Sequence, residues 1–147
     1  MQQQYVRVTE VDSRRLQALI DGALLRETRD ASSVEELERH LGEAEVLPPA
    51  RIGPDVVTMN SDVRVTDLDT GETFGFRVVF PMANAGAGSI SVLAPLGMAV
   101  LGRRMGDEIP WKVPGGSRRL RLDDVVYQPE RDGRDLSEDG PFEGRSW

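Results

Sequence analysis

Four groups of residues have the types and spacing to do chemistry. Glu27 and Asp30 sit in a polar break between two helical stretches, where carboxylates could meet a cation. Arg26 and Arg29 flank them, so local ion pairing accounts for them equally well. Asp67, Asp69 and Glu72 have the Asp-x-Asp-x-Gly spacing that opens a calcium loop. The bidentate Glu such a loop needs at its twelfth position falls on Val78, so a hairpin turn is the better account. His40 lies between Arg39 and Leu41 with no orienting partner at a fixed spacing, and is expected to be a solvated helix position. The Gly-rich runs at 85–88 and 114–116 lack the Gly-Lys-Ser/Thr that would make a phosphate loop, and read as turns. The residues therefore indicate no catalytic group, no metal and no cofactor.

The elements that must position these groups fall into three regions. From Thr9 to Leu47 the period is helical. Leu16, Leu19, Ile20, Ala23 and Leu24 share one face, with Thr9 placed to cap the first turn at Asp12. Ser33-Val34-Glu35-Glu36 reads as a capping box for a second helix, whose seam is Val34, Leu37, Leu41 and Ala44. The two helices, each about 21–24 Å long at the α-helical rise, form a short antiparallel hairpin over 9–47. A Pro-rich linker, 48–54, follows.

Residues 55–128 alternate as strands. Val63 and Val65 precede a turn at Asp69-Thr70-Gly71, and Phe74, Phe76, Val78 and Phe80 share the next inward face. Ile90 and Val92 resume the pattern before a short helix opened by Pro95 and ended by Gly102. Ile109, Trp111 and Val113 pair onward through Pro114-Gly115-Gly116 to Leu120 and Leu122. Val125 and Tyr127 fall out of phase, which predicts a bulge near Asp123-Asp124. The fold class is α+β, an antiparallel sheet of about four to six strands with one short helix on a face. Residues 129–147 carry no periodicity and are expected to be a flexible acidic tail ending in Trp147.

The chain has 147 residues, 39% hydrophobic, a net charge of −7 and no cysteine. That removes disulfides, thiol nucleophiles and thiolate metal sites, and gives no electrostatic case for duplex DNA or anionic membranes. The start of the chain carries no apolar signal-peptide core, no membrane span is expected, and a cytoplasmic location follows.

The succession over Ala94–Tyr127 of short helix, Gly-Asp turn, strand, Pro-Gly-Gly turn and strand resembles the C-terminal domain of the bacterial Gre transcript-cleavage factors. With Asp55–Asp62 and Ile90–Pro95, the likeness is greatest to the Rnk family, the regulators of nucleoside diphosphate kinase. The resemblance implies an FKBP-like domain behind a short coiled coil, with RNA polymerase as the partner. In Gre factors an acidic or amide residue, a Ser and a Pro open the short helix and help grip the rim of the polymerase secondary channel. Those positions here are Leu93, Ala94 and Pro95: the proline carries over and the polar pair does not. The implied docking surface is Leu93, Ala94, Pro95, Leu96 and Met98, with Leu96 expected to belong to the core.

In Gre factors a longer coiled coil carries two tip acids to the catalytic magnesium, where they help hold a second metal and activate water. Glu27 and Asp30 occupy the tip here, on a hairpin about half the length such delivery needs. The resemblance thus implies a non-enzymatic regulator that competes with Gre factors near the secondary channel without stimulating cleavage. Three alternatives stand beside it: a prolyl isomerase of FKBP type, an active cleavage factor using Glu27 and Asp30, and an indirect effect on nucleoside diphosphate kinase levels.

Overall fold

The structure, a computed structural model, describes residues 6–24, 31–81 and 88–132. Strand β1 (Arg7–Thr9) runs straight into helix α1 (Glu10–Leu24). The Asp12 amide donates to Thr9 Oγ1 at 3.0 Å, which is the cap the sequence predicts, and Glu10 places negative charge at the positive end of the helix. Helix α2 spans Ala31–Gly42, so the expected start at Ser33 is two residues late. Ser33 therefore lies within the first turn of the helix rather than at its cap. The tip between the helices, with Glu27 and Asp30, lies outside the described residues.

The helical stretch ends at Gly42 rather than reaching Leu47. Glu45–Leu47 forms strand β2, which pairs in parallel with β1 through Arg7↔Glu45, Val8↔Val46 and Thr9↔Leu47. The chain before α1 is thereby stapled to the chain after α2. The presumed linker is also structured: Pro49–Arg51 makes a 3₁₀ turn, Ile52 is buried, and the Gly53 and Val56 carbonyls each accept from Gln128 Nε2 at 2.8 and 2.7 Å.

Five further strands form one sheet: β3 (Asp62–Asp67), β4 (Thr73–Val79), β5 (Ser89–Ser91), β6 (Glu108–Val113) and β7 (Gly116–Tyr127), in the order β5-β4-β3-β7-β6. The expected antiparallel arrangement holds except at one edge, where β5 joins β4 in parallel through Val78↔Ile90. Alternation of Ile90 and Val92 reports which face a strand shows; it carries no information on direction. The predicted bulge is present: Arg64 pairs with Asp124 and Val65 with Leu122, leaving Asp123 as the extra residue, and a second shift skips Val126. At the β3–β4 turn, Asp67 Oδ1 accepts the amides of Asp69 and Thr70 while Arg118 bonds Oδ2 at 3.1 Å. Burial alone would raise this carboxyl, but those amides and the guanidinium hold it below the ordinary range.

Helix α3 (Pro95–Val100) packs by β6, and its Leu96, Met98 and Val100 join the sheet's Val63, Val65, Phe76, Leu120 and Leu122. The same apolar cluster includes Leu16, Ile20, Val34 and Leu37, so helices α1 and α2 share one core with the sheet. Phe74 and Phe76 stack at 6.2 Å between centroids. The first residues of the expected tail belong to the fold. Pro129 is buried, Asp132 Oδ2 accepts the Gln128 amide at 2.8 Å, and Arg131 bonds the carbonyls of Val125, Val126 and Pro54. The periodicity stops at Tyr127 because this segment is fixed by side-chain bonds to backbone, which leave no repeat in the sequence. Residues 133–147, including Trp147, lie outside the described residues.

Candidate functional site

The start of α3 is fixed by backbone geometry rather than by a polar cap. Ser91 Oγ accepts the Leu93 amide at 3.0 Å and the Ser91 carbonyl accepts the Ala94 amide at 3.0 Å, so the chain turns sharply out of β5. Ala94 takes an extended conformation at the N-cap (φ −73°, ψ 150°) with no side-chain bond, and Pro95 supplies a pre-set φ at the first helical position. Gly97 lies flat on β5, where a β-carbon would collide with the Ser91 carbonyl. The expected docking residues therefore divide. Pro95 is exposed and Leu93 and Ala94 are half-buried, whereas Leu96 and Met98, each 8% exposed, are packed in the core.

Beside Pro95 a cleft of about 600 Å³ opens between α2, α3 and β6. Its floor includes Met98 and Trp111, and its rim carries Arg39, His40 and Arg103, with Glu36 and Glu43 on the α2 side. Residues 36, 39, 40 and 43 follow the helical repeat, so one face of α2 lines the cleft while Val34, Leu37 and Leu41 turn to the core. Trp111 lines the cleft, and its indole N–H is buried with no hydrogen-bond partner among the described residues.

His40 is not the solvated residue expected from its neighbours. Its Nε2 lies 3.0 Å from the Leu101 carbonyl oxygen, which can only accept, so the proton sits on Nε2. The bond ties α2 to the end of α3 across 61 residues of sequence. Burial lowers the His40 pKa below its ordinary value and outweighs the Leu101 carbonyl, which raises it; the charge of Arg103 lowers it further and that of Glu43 opposes. Burial also lowers Arg103, with Asp107 opposing. The imidazole is thus a neutral donor at pH 7, suited to a structural bond.

No group of three or more His, Asp or Glu side chains could hold a metal among the described residues, and no helix there is long and apolar enough to cross a membrane. Sequence reasoning missed His40, Arg103 and Trp111 as a group because they come from a helix, a turn and a strand far apart in the chain. The helical spacing of Glu36, Arg39, His40 and Glu43 was the available signal. It marks a shared face, but not what that face looks onto.

Residues 52–127 match the family described as transcription elongation factor GreA/GreB, C-terminal. The chain is 39% identical over 99 residues to the regulator of nucleoside diphosphate kinase of Escherichia coli K12, covering 66% of this chain and 73% of that protein. It is 38% identical over 99 residues to transcription elongation factor GreA of Thermotoga neapolitana, covering 67% of this chain and 63% of that factor. The fold is similar to that of a solved GreA/GreB transcription elongation factor from Nitrosomonas europaea, with TM-score 0.66, 36% identity, and coverage of 85% of this chain and 100% of the other.

Proposed function

The chain belongs to the GreA/GreB C-terminal family, and we propose that it is a transcription regulator acting by binding RNA polymerase near the secondary channel. In this reading residues 55–128 are an FKBP-like docking domain, residues 9–47 a short helical hairpin with strands β1 and β2 at its root, and 48–54 the passage between them. The observation that carries it is the start of α3. An exposed Pro95 stands on half-buried Leu93 and Ala94 beside the cleft, within the stretch that matches the family. Contact at Pro95 is apolar, with Leu96 and Met98 supporting it from below, and the rim of the cleft adds the charged groups Arg39, Arg103, Glu36 and Glu43.

The regulator competes with Gre factors without stimulating cleavage. Helix α1 has 15 residues and α2 has 12, so at the α-helical rise the described helices are about 18–22 Å long, which supports a short probe. The protein works in the cytoplasm, needs no cofactor, and reads no nucleic-acid sequence directly. The isomerase alternative has less support, since Phe76 is buried, Phe74 and Phe80 pack against the same cluster, and Trp111 is the one aromatic among the described residues that lines the cleft. An effect on nucleoside diphosphate kinase, as in the name of the Escherichia coli relative, is read here as indirect and regulatory.

The test is co-purification with RNA polymerase and a transcript-cleavage assay with a Gre factor present. Binding at micromolar concentration with loss of Gre-stimulated cleavage is expected. An absence of binding at that concentration rejects the reading, and cleavage stimulated by this protein alone revives a role for Glu27 and Asp30.

A further inference from the structure

Asp12 is buried at the start of α1, in surroundings unusual for a carboxylate. Its Oδ2 accepts the Met59 amide at 3.0 Å. The preceding residue holds a second acid from the opposite end of the chain: Thr58 Oγ1 donates to Glu130 Oε1 at 2.7 Å. The hydroxyls form a directional chain. Because the Thr58 proton goes to Glu130, the Ser61 hydroxyl supplies the proton in its 2.9 Å bond to Thr58 Oγ1, and Ser61 Oγ in turn accepts the Thr58 amide. Thr58 and Met59 thus give one donor each to two carboxyl groups that bracket the fold.

The donors do not balance two negative charges there. Burial raises the Asp12 carboxyl most, and the charge of Glu130 raises it further. The Met59 amide, Arg15 on α1 and Thr9 oppose, and the outcome is a pKa raised to about 7. Glu130 is also raised, by burial, against its bonds to Thr58 and to its own backbone amide. The facing loop offers Thr58, Met59 and Ser61, and β1 offers Thr9. The charged groups acting on Asp12 are therefore Glu130 and Arg15.

We propose that Asp12 and Glu130 form a proton-gated latch fastening the start of α1 to the turn after β7, closed while Asp12 carries a proton and slackening as that proton is lost. The sign follows from the two states. Opened to water, Asp12 has its ordinary value of 3.8, whereas in the closed state it holds its proton to about 7. The closed state binds the extra proton, so opening becomes easier by up to about tenfold per pH unit as pH rises across that interval, and levels off above it. The attachment of α1 to the sheet therefore varies through the acid and near-neutral range, independently of any partner.

Two measurements on the full chain decide this. The Asp12 side-chain carboxyl carbon is expected to titrate by NMR with a midpoint near 7. Exchange of α1 amides, corrected for intrinsic rate and set against β7 amides, is expected to accelerate up to that pH and then flatten. Asp12→Asn keeps an acceptor for Met59 and removes the pH dependence; Glu130→Gln moves the Asp12 midpoint down. An Asp12 midpoint at the ordinary carboxyl value overturns the latch, as does wild-type α1 exchange that follows β7 at every pH. Both readings come from the wild-type protein, whatever the variants do.

Discussion

His40→Ala leaves the Leu101 carbonyl without its side-chain donor and is expected to cost about 1–2 kcal/mol, read as a shift in the urea midpoint with unchanged slope. The imidazole also has a defined pH signature. Its folded pKa lies below the ordinary 6.5, so the folded state takes up fewer protons than the unfolded one. The stability it contributes is present above 6.5 and is lost as pH falls through the folded value. His40→Gln is expected to remove that acid limb in a pH series of urea midpoints, while keeping an amide donor. Little of this was legible at the level of single residues. Thr9 as a cap could be read because its partner lies three positions away. His40 and Asp12 could not, because their partners lie 61 and 47 residues distant and nothing in a local window marks them.

Helix α3 is where sequence pattern and packing agree best, and where substitutions sort stability from binding. Gly97→Ala drives a methyl into the Ser91 carbonyl and is expected to destabilise by about 2–3 kcal/mol, measured by thermal or urea unfolding. Leu96→Ala opens a cavity under the same helix and is expected to cost about 2–5 kcal/mol. Pro95→Asp sits in solvent at the first helical position, where a negative charge suits the helix end. It is expected to leave the unfolding midpoint almost unchanged and to weaken polymerase binding at least about tenfold in a pull-down or titration. Equal binding by Pro95→Asp and wild type removes Pro95 from the docking surface. The strands with long alternation, and the bulge at Asp123, were legible because a phase change in a period of two is visible in the sequence. The three-residue strands β1 and β2 were not, since three residues cannot establish a period, and β5 was legible as a strand through Ile90 and Val92 but not in its parallel pairing, which is set by where other elements put it.

Across the whole molecule, the reading of an α+β fold with helices first and sheet second was available from sequence, but the sharing of one core was not. Leu16, Ile20, Val34 and Leu37 belong to the same cluster as Leu120 and Leu122. A chain lacking residues 1–47 would expose that face of the cluster, and is expected to lose cooperative unfolding and to bind a hydrophobic dye, in contrast to an independently folding domain. The staple made by β1 and β2 has a mechanical consequence. The two strands run in parallel, with the N-terminal side joining β1 at Arg7 and the rest of the fold leaving β2 beyond Leu47. A pull between the ends of the chain loads their backbone bonds along the strands, so they must break together rather than open one at a time. The arm is therefore protected against force at its root, the place where a tug on the N-terminus would otherwise begin to unravel it.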